Sequence, residues 1–547
     1  LIHSAYKDYI ENNLERKMYN DFPYVFIIQG DILKKSSSFL FSTFILAVVN
    51  FIVRCLGFIY RIILSRLIGA EAIGLYQMVF PFLMVVITIT TAGIPIAVSK
   101  MIAKENSVNN RNGVYKVLAI ALFLGGAISV LLSILVSVEL KFITNNILKN
   151  PKLYYPLVWS VPAISVITLS SIMRGFFYGL KDIKPAANAQ IIEQVFRIVF
   201  VLSYLYYVRP TDPVSAANIA IIGVTLGELG SLLFLIFKFN FKKLTSRSTI
   251  VKFYKTPSIH ILNDLLFISV PITLSRLIAV GMQSANSILI PQRLEISGIS
   301  AIESVEIFGK ISGMAMPLLF LPFTVTTALV LNIIPNISEQ LAVNNISDVK
   351  YKSGLAMKVT MLVAIPTTIV LVMFGDHLGY LIYNNGDVGK YLSIISYATI
   401  FMCIQHTSSG ILHGMGKQVI TSVNYLLGML IQLYCTYFLI ANPKYGINGF
   451  FIGFIISTCL IAVLNMITLR KHLKLNLPIL QTYIKPLLCS TIMIALMILI
   501  YKAMYSVTNR NSWSTLVSCA IGCLTYVISL DLTNTLKIKP FVESLRS

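Results

Sequence analysis

Stretches of about 20 apolar residues, each long enough to cross a hydrocarbon core of about 30 Å, recur from Phe39 to Leu530. Nothing else in the chain constrains its fold as strongly. A segment in lipid must satisfy every backbone amide and carbonyl internally, so it becomes either a helix or a strand of a closed barrel. Barrel strands would show short alternating runs, whereas these runs are continuous. They predict an all-α polytopic membrane protein. Over 547 residues, 56% are hydrophobic and 12% charged, with a mean hydropathy of +0.79. Soluble domains do not sustain that balance.

About 14 spans are predicted: 39–65, 73–102, 114–138, 154–178, 186–207, 214–237, 263–290, 308–337, 355–374, 391–414, 420–440, 446–468, 484–504 and 513–530. A formal charge of +22 would suggest nucleic acid in a soluble protein. Here the basic residues sit in the loops. With the amino terminus placed in the cytoplasm and residues near span ends counted with the adjoining loops, 29 Lys and Arg fall on that side, 11 on the other and four deep inside spans. That bias follows the positive-inside rule and predicts a bacterial cytoplasmic membrane protein with both termini cytoplasmic. The richest loop carries Lys238, Lys242, Lys243, Arg247, Lys252 and Lys255. Nucleic acid is not an expected partner.

The basic loop divides the spans into six, six and two. The expected units are a polar lead over 1–38, a first lobe over 39–238, the loop over 239–262, a second lobe over 263–468, and two further spans with a tail over 469–547. The chain opens on Leu1, and its first residues lack a flanked signal-peptide core, so the lead is read as a segment that need not be native. Internal matches suggest parallel repeats. Phe80-Pro81-Phe82 resembles Leu321-Pro322-Phe323, Ile94-Pro95 resembles Ile334-Pro335, and Gly175-x-x-x-Gly179 resembles Gly410-x-x-x-Gly414, at offsets of 241, 240 and 235. Proline removes an amide and kinks a helix, so the paired prolines are candidates for bending during transport.

Charge at bilayer depth is costly and usually faces a wet cavity or an ionic partner. Four arginines are read as deep inside spans, away from their ends: Arg54, Arg61, Arg197 and Arg276. Arg54 and Arg61 are seven apart and share a helix face, with Asn50 one turn before Arg54, giving a polar stripe about 16 Å long. Guanidinium binds phosphate bidentately. Arg66 ends the span, where snorkelling to the interface suffices. Arg276, in the seventh span, would put a second cation on the opposite wall, with Gln283, Ser284, Asn286 and Ser287 further along to meet hydroxyl-rich ligands. Arg197 follows Glu193 by four residues, the favourable order for a structural ion pair. Glu228 lacks a local basic partner and is a candidate coupling residue.

Enzymatic signatures such as GxxxxGK[ST], HExxH and GxSxG are absent from the sequence. The seven cysteines are scattered without metal-ligand spacing, and His406 and His413 have no nearby carboxylate. Neither a metal nor a cofactor is expected, and the histidines read as core or lining polar residues.

The run from Arg54 to Gln77, Arg54-Cys-Leu-Gly-Phe-Ile-Tyr-Arg61-Ile-Ile-Leu-Ser-Arg66-Leu-Ile-Gly-Ala-Glu71-Ala-Ile-Gly74-Leu-Tyr76-Gln77, resembles the opening of the stage V sporulation protein B family. Thr91-Ala-Gly-Ile-Pro95-Ile-Ala-Val-Ser-Lys100, Met173-Arg-Gly-Phe-Phe-Tyr-Gly179, Ile290-Pro-Gln-Arg-Leu294 and Gly410-Ile-Leu-His-Gly-Met-Gly416 extend the resemblance. That family belongs to the MOP exporter superfamily, with the lipid II and O-antigen flippases. The resemblance implies two six-helix lobes plus two helices, and transport of polyprenyl-diphosphate-linked sugars. It carries over Arg54, and Arg61 with a spacing that departs from the flippases by one residue, as diphosphate contacts. A flippase of a lipid-linked oligosaccharide, a peptidoglycan precursor for example, is the expectation. Its partners would be that lipid, the bilayer and the cell-wall synthesis machinery. A cation-coupled multidrug exporter of the same superfamily, a membrane glycosyltransferase or ligase, and a scaffold stay open as alternatives. The first should carry acidic residues in the first-lobe cavity, and the second needs large loops with paired carboxylates.

Overall fold

The computed structural model describes residues 23–91, 93–239, 258–475, 477–533 and 535, with side chains from residue 49 on except at 50, 271, 275 and 279. The polar lead up to residue 22 and the basic residues Lys242 to Lys255 lie outside the described residues. The described elements are helical, and 12 helices are long and apolar enough to cross a membrane, or 13 if the bent pair Ala301–Leu319 and Phe323–Ala342 is one span. The first of the 12, Phe51–Ser107, has 57 residues. At 1.5 Å per residue that is about 85 Å, far beyond one crossing. It divides at Gly69, whose φ of 78° and ψ of 175° are non-helical and open to a residue without a Cβ. One crossing on each side of Gly69 brings the spans among the described residues to the fourteen expected from the sequence.

The later spans run Arg111–Val138, Pro151–Gly179, Ile183–Val208, Pro213–Lys238, Ser258–Ile296, the bent eighth pair, Ile346–Tyr383, Gly386–Gly414, Gln418–Phe438, Asn448–Leu473, Leu480–Thr508 and Asn511–Leu532. Their ends follow local chemistry. Asn110 Oδ1 accepts from Gly113 N at 3.0 Å and Asp212 Oδ2 from Ser215 N at 2.9 Å, capping the third and sixth spans at their amino ends. Asn384 and Asn509 take left-handed φ values of 54° and 48° and stop the ninth and thirteenth, a conformation asparagine tolerates.

Helices in lipid associate where small side chains let backbones approach, and the same interlock appears in both sets of six. A Cβ on Gly175 would lie 2.6 Å from Pro95 O, and one on Gly179 2.8 Å from Ser99 O and Ile102 Cβ. In the second set, a Cβ on Gly410 would lie 2.7 Å from Val330 Cγ2, and one on Gly414 3.0 Å from Ile334 O and Ile337 Cβ. Each contact is displaced from its counterpart by 235 residues. This register corrects the proline pairing expected from sequence. Pro95 corresponds to Val330, five residues before Pro335. Pro81 sits inside a continuous helix, whereas Pro322 lies at a 56° bend. Tight glycine contacts fix helix register, while a proline is tolerated wherever neighbours satisfy the freed carbonyl.

The first six spans meet the next six at the end where Gly69 lies. There the start of the second span crosses the start of the eighth, and Gly74 and Gly309 touch. They meet again where a Cβ on Gly93 would lie 2.0 Å from Ser269 O of the seventh span. The eighth span is π-helical over Gly309–Ala315. Within that stretch Lys310 Nζ sits 2.9 Å from both Glu306 and Asp387. The seventh span is shared. Ile261 and Leu265 join the core of the first set beside Ile102 and Phe176. At its other end Gln292 Nε2 donates to Ile147 O at 3.1 Å, while the Arg293 guanidinium lies 3.3 Å from the centre of the Tyr437 ring. The last two spans pack on the ninth, where the Tyr526 hydroxyl donates to Leu362 O at 2.8 Å.

Candidate functional site: the polar wall between the two sets of six

Arg54 is exposed and leaves its own helix to reach the second set, with Nη1 donating to Thr327 Oγ1 at 3.4 Å. Thr327 follows the bend of the eighth span, and its neighbour Thr326 is buried with its hydroxyl 3.0 Å from His406 Nδ1. The ring of Phe323 packs against that histidine at a tilt of 47°, with the ring centres 5.1 Å apart. Arg61, two turns on, is half-buried and close enough to Tyr383, at the end of the ninth span, for its charge to act there. Arg54 therefore faces the second set, and Arg61 lies within electrostatic reach of it. The side chain of Asn50 lies outside the described residues.

Arg66 does more than snorkel. Its Nε and Nη2 donate to the carbonyls of Ile382 and Leu381. Those are among the last carbonyls of the ninth span, which have no partner within their helix and carry its negative pole. The contact ties the first span to the second set at the Gly69 end.

On the seventh span, Arg276 is exposed and makes no hydrogen bond or ion pair among the described residues, and no contact brings it to Arg54. Gln283 is exposed, while Ser284 and Ser287 are buried and bonded, Ser287 Oγ donating to Ser284 O at 2.8 Å. Asn286 is half-buried with its Oδ1 buried and unpaired.

The first set also encloses four charges. Arg197 Nη2 lies 2.7 Å from Glu193 Oε1. Arg174 Nη1 lies 3.3 Å from the other oxygen of Glu193, and Arg174 Nη2 lies 3.3 Å from Glu228. Arg174, from the fourth span, thus joins Glu193 of the fifth to Glu228 of the sixth. All four side chains are at most 16% exposed. The pair Glu193 and Arg197 has the geometry expected of it. Glu228 has a partner that the local sequence does not display. Gly227 permits the arrangement, since a Cβ there would lie 2.7 Å from Glu193 O. The sequence signal was available in Arg174 itself, which lies within the span expected over 154–178.

The site therefore offers an exposed cation without a carboxylate partner among the described residues, the Thr327 hydroxyl against it, an imidazole held behind that hydroxyl's neighbour, and a separate charge network that neutralises itself.

Comparisons with known proteins agree with this architecture. The model of a family described as polysaccharide biosynthesis protein matches residues 39–341, and one described as MatE matches 311–438. Stage V sporulation protein B of Bacillus subtilis (strain 168) is 28% identical over 443 residues, covering 81% of this chain and 85% of the relative. The lipid II flippase MurJ of the same organism is 24% identical, covering 73% and 76%. Among solved structures, a lipid II flippase MurJ in an inward closed conformation aligns with a TM-score of 0.64 at 18% identity, over 89% of this chain and 98% of that one. An inward-facing multidrug resistance MATE family transporter of the MOP superfamily aligns with a TM-score of 0.62 at 17% identity, over 78% and 98%. Identities this low make the solved structures evidence of a shared fold, a MOP-like bundle.

Proposed function

Because this chain belongs to the family of polysaccharide biosynthesis proteins, we propose that it flips a polyprenyl-diphosphate-linked oligosaccharide across the bacterial cytoplasmic membrane by alternating access. The substrate class we assign is a peptidoglycan precursor, in keeping with relatives named for lipid II and for sporulation, with the spore cortex as its destination. Residues 39–238 and 263–468 would be the two lobes, with both termini cytoplasmic and cell-wall synthesis enzymes as neighbours. The Gly69 end then faces outward. The diphosphate enters from the other end toward Arg54, Arg61 and Arg276, with Asn50, Gln283 and Asn286 available to the sugar. Its tail stays in lipid. Rocking of the lobes parts Gly74 from Gly309 and releases the sugar outside.

The observation that carries this reading is Arg54, exposed between the lobes with no carboxylate bound to it among the described residues. A cavity for cations would be repelled by it. Glu193 and Glu228, the acids a cation exporter could use in the first lobe, are occupied by Arg197 and Arg174. Glu228 keeps a coupling role in this proposal only through a change in its pairing with Arg174.

The test is transport by the purified protein in liposomes. A fluorescent polyprenyl-diphosphate disaccharide should move between leaflets while a cationic dye does not accumulate. Dye transport without lipid flipping would favour the multidrug exporter.

A further inference from the structure

Arg54 is a phosphate ligand on one wall only. What the second lobe sets opposite it is fixed by three residues separated widely in sequence. Thr327 meets Arg54 directly. Thr326 turns the other way, into the lobe, and meets His406. The backbone around them is already used: the amides of Phe323, Thr324 and Thr326 donate to the carbonyls of Phe320, Leu321 and Pro322 at 3.0, 3.2 and 3.3 Å. Recognition on this wall therefore falls to side chains.

His406 bonds through Nδ1 alone; its Nε2 makes no hydrogen bond among the described residues. The ring is held on two sides, by the Thr326 hydroxyl and the Phe323 ring. It is close enough to Arg54 for that charge to act on it. When Thr326 donates its proton to Nδ1, the imidazole is neutral with its N–H at Nε2, on the opposite edge of the ring. A donor fixed in this way is suited to an anionic oxygen. The Arg54 to Thr327 bond, at 3.4 Å and exposed, is long enough to be exchanged readily for a charged ligand.

We propose that His406 and Thr327 are the second lobe's ligands for the diphosphate, with Thr326 as the positioning residue that sets the imidazole tautomer. This rests on the flippase reading above. Its consequence is mechanical. A diphosphate held by Arg54 on the first span and by Thr327 and His406 on the eighth and tenth joins the two lobes at the entry end. Binding the substrate then favours closing that end, which is the step alternating access needs.

The experiment uses the full-length protein in liposomes, with fluorescent polyprenyl-diphosphate disaccharide and its polyprenyl-monophosphate counterpart as probes. His406→Gln places an amide nitrogen near the position of Nε2, whereas His406→Asn places it near Nδ1. At equal membrane abundance, His406→Asn should raise the KM for the diphosphate probe on the order of tenfold, the scale of one hydrogen bond to a charged group. His406→Gln should recover most of that loss. The preference for diphosphate over monophosphate should narrow in His406→Asn and in Thr327→Val, a change a purely structural defect would not produce. Thr326→Val should raise KM without removing the rescue by His406→Gln. If wild-type protein flips the probe and both His406→Asn and Thr327→Val keep its KM and preference, the inference is overturned while the flippase reading stands. If wild-type protein flips neither probe, the flippase reading fails, and the inference with it.

Discussion

Gly74 and Gly309 meet backbone to backbone. A Cβ on Gly309 would lie 2.7 Å from Gly74 N, and one on Gly74 would lie 2.2 Å from Val305 O. The two positions are 235 residues apart, the displacement that also relates Gly175 to Gly410 and Gly179 to Gly414. Equivalent glycines of the two sets of six thus touch each other, as residues near an axis relating parallel repeats must. The alternating access proposed above requires this contact to part.

A disulfide across that contact tests the requirement. A Cβ on Gly313 would lie 2.0 Å from Ile73 Cγ2, so Ile73→Cys with Gly313→Cys should cross-link in a background with the seven native cysteines replaced. The oxidised protein should bind lipid but not flip it, and reduction should restore transport. Normal flipping by the cross-linked form would show that this end need not part.

Arg66 should act as a latch at the same end. Arg66→Ala removes two bonds to helix-terminal carbonyls of the ninth span, each worth about 1.5–3 kcal/mol for a charged donor. We expect a shift toward the state open at that end. Labelling of a cysteine placed at Tyr383 by a membrane-impermeant maleimide should rise severalfold. Arg66→Lys, which cannot span both carbonyls with a planar fork, should fall between. Unchanged labelling would remove the latch.

The network of Arg174, Glu193, Arg197 and Glu228 should govern stability. Arg174→Ala leaves Glu228 without its partner and should cost about 3–5 kcal/mol, the scale for an unpaired buried charge. Replacing both Arg174 and Glu228 by methionine should recover much of it. Arg197→Ala should likewise reduce folded protein more than it reduces flipping per folded molecule. Thermal unfolding in detergent reads all three, and a melting point for Arg174→Ala equal to wild type would contradict this account.

These residues also show what a sequence displays and what it hides. Apolar runs, the i,i+4 spacing of Glu193 and Arg197, and the shared face of Arg54 and Arg61 are local patterns, and the structure contains each. Arg174 lies five residues before the end of its span, where it reads as a loop charge, and its partners come from two other helices. Thr326 and His406 are 80 residues apart. Arg66 bonds to backbone carbonyls, which carry no side-chain signature. The proline matches misled by five and six residues because helix register follows the glycine contacts.

The central claim is that Arg54 holds the diphosphate. The most direct measurement is flipping of a fluorescent polyprenyl-diphosphate disaccharide by Arg54→Ala in liposomes, at membrane abundance equal to wild type. Arg54→Ala should flip no faster than protein-free liposomes. Arg54→Lys should recover part of the rate, since an ammonium keeps the charge but not the bidentate fork. Full activity in Arg54→Ala would contradict an anionic substrate and favour a cation exporter.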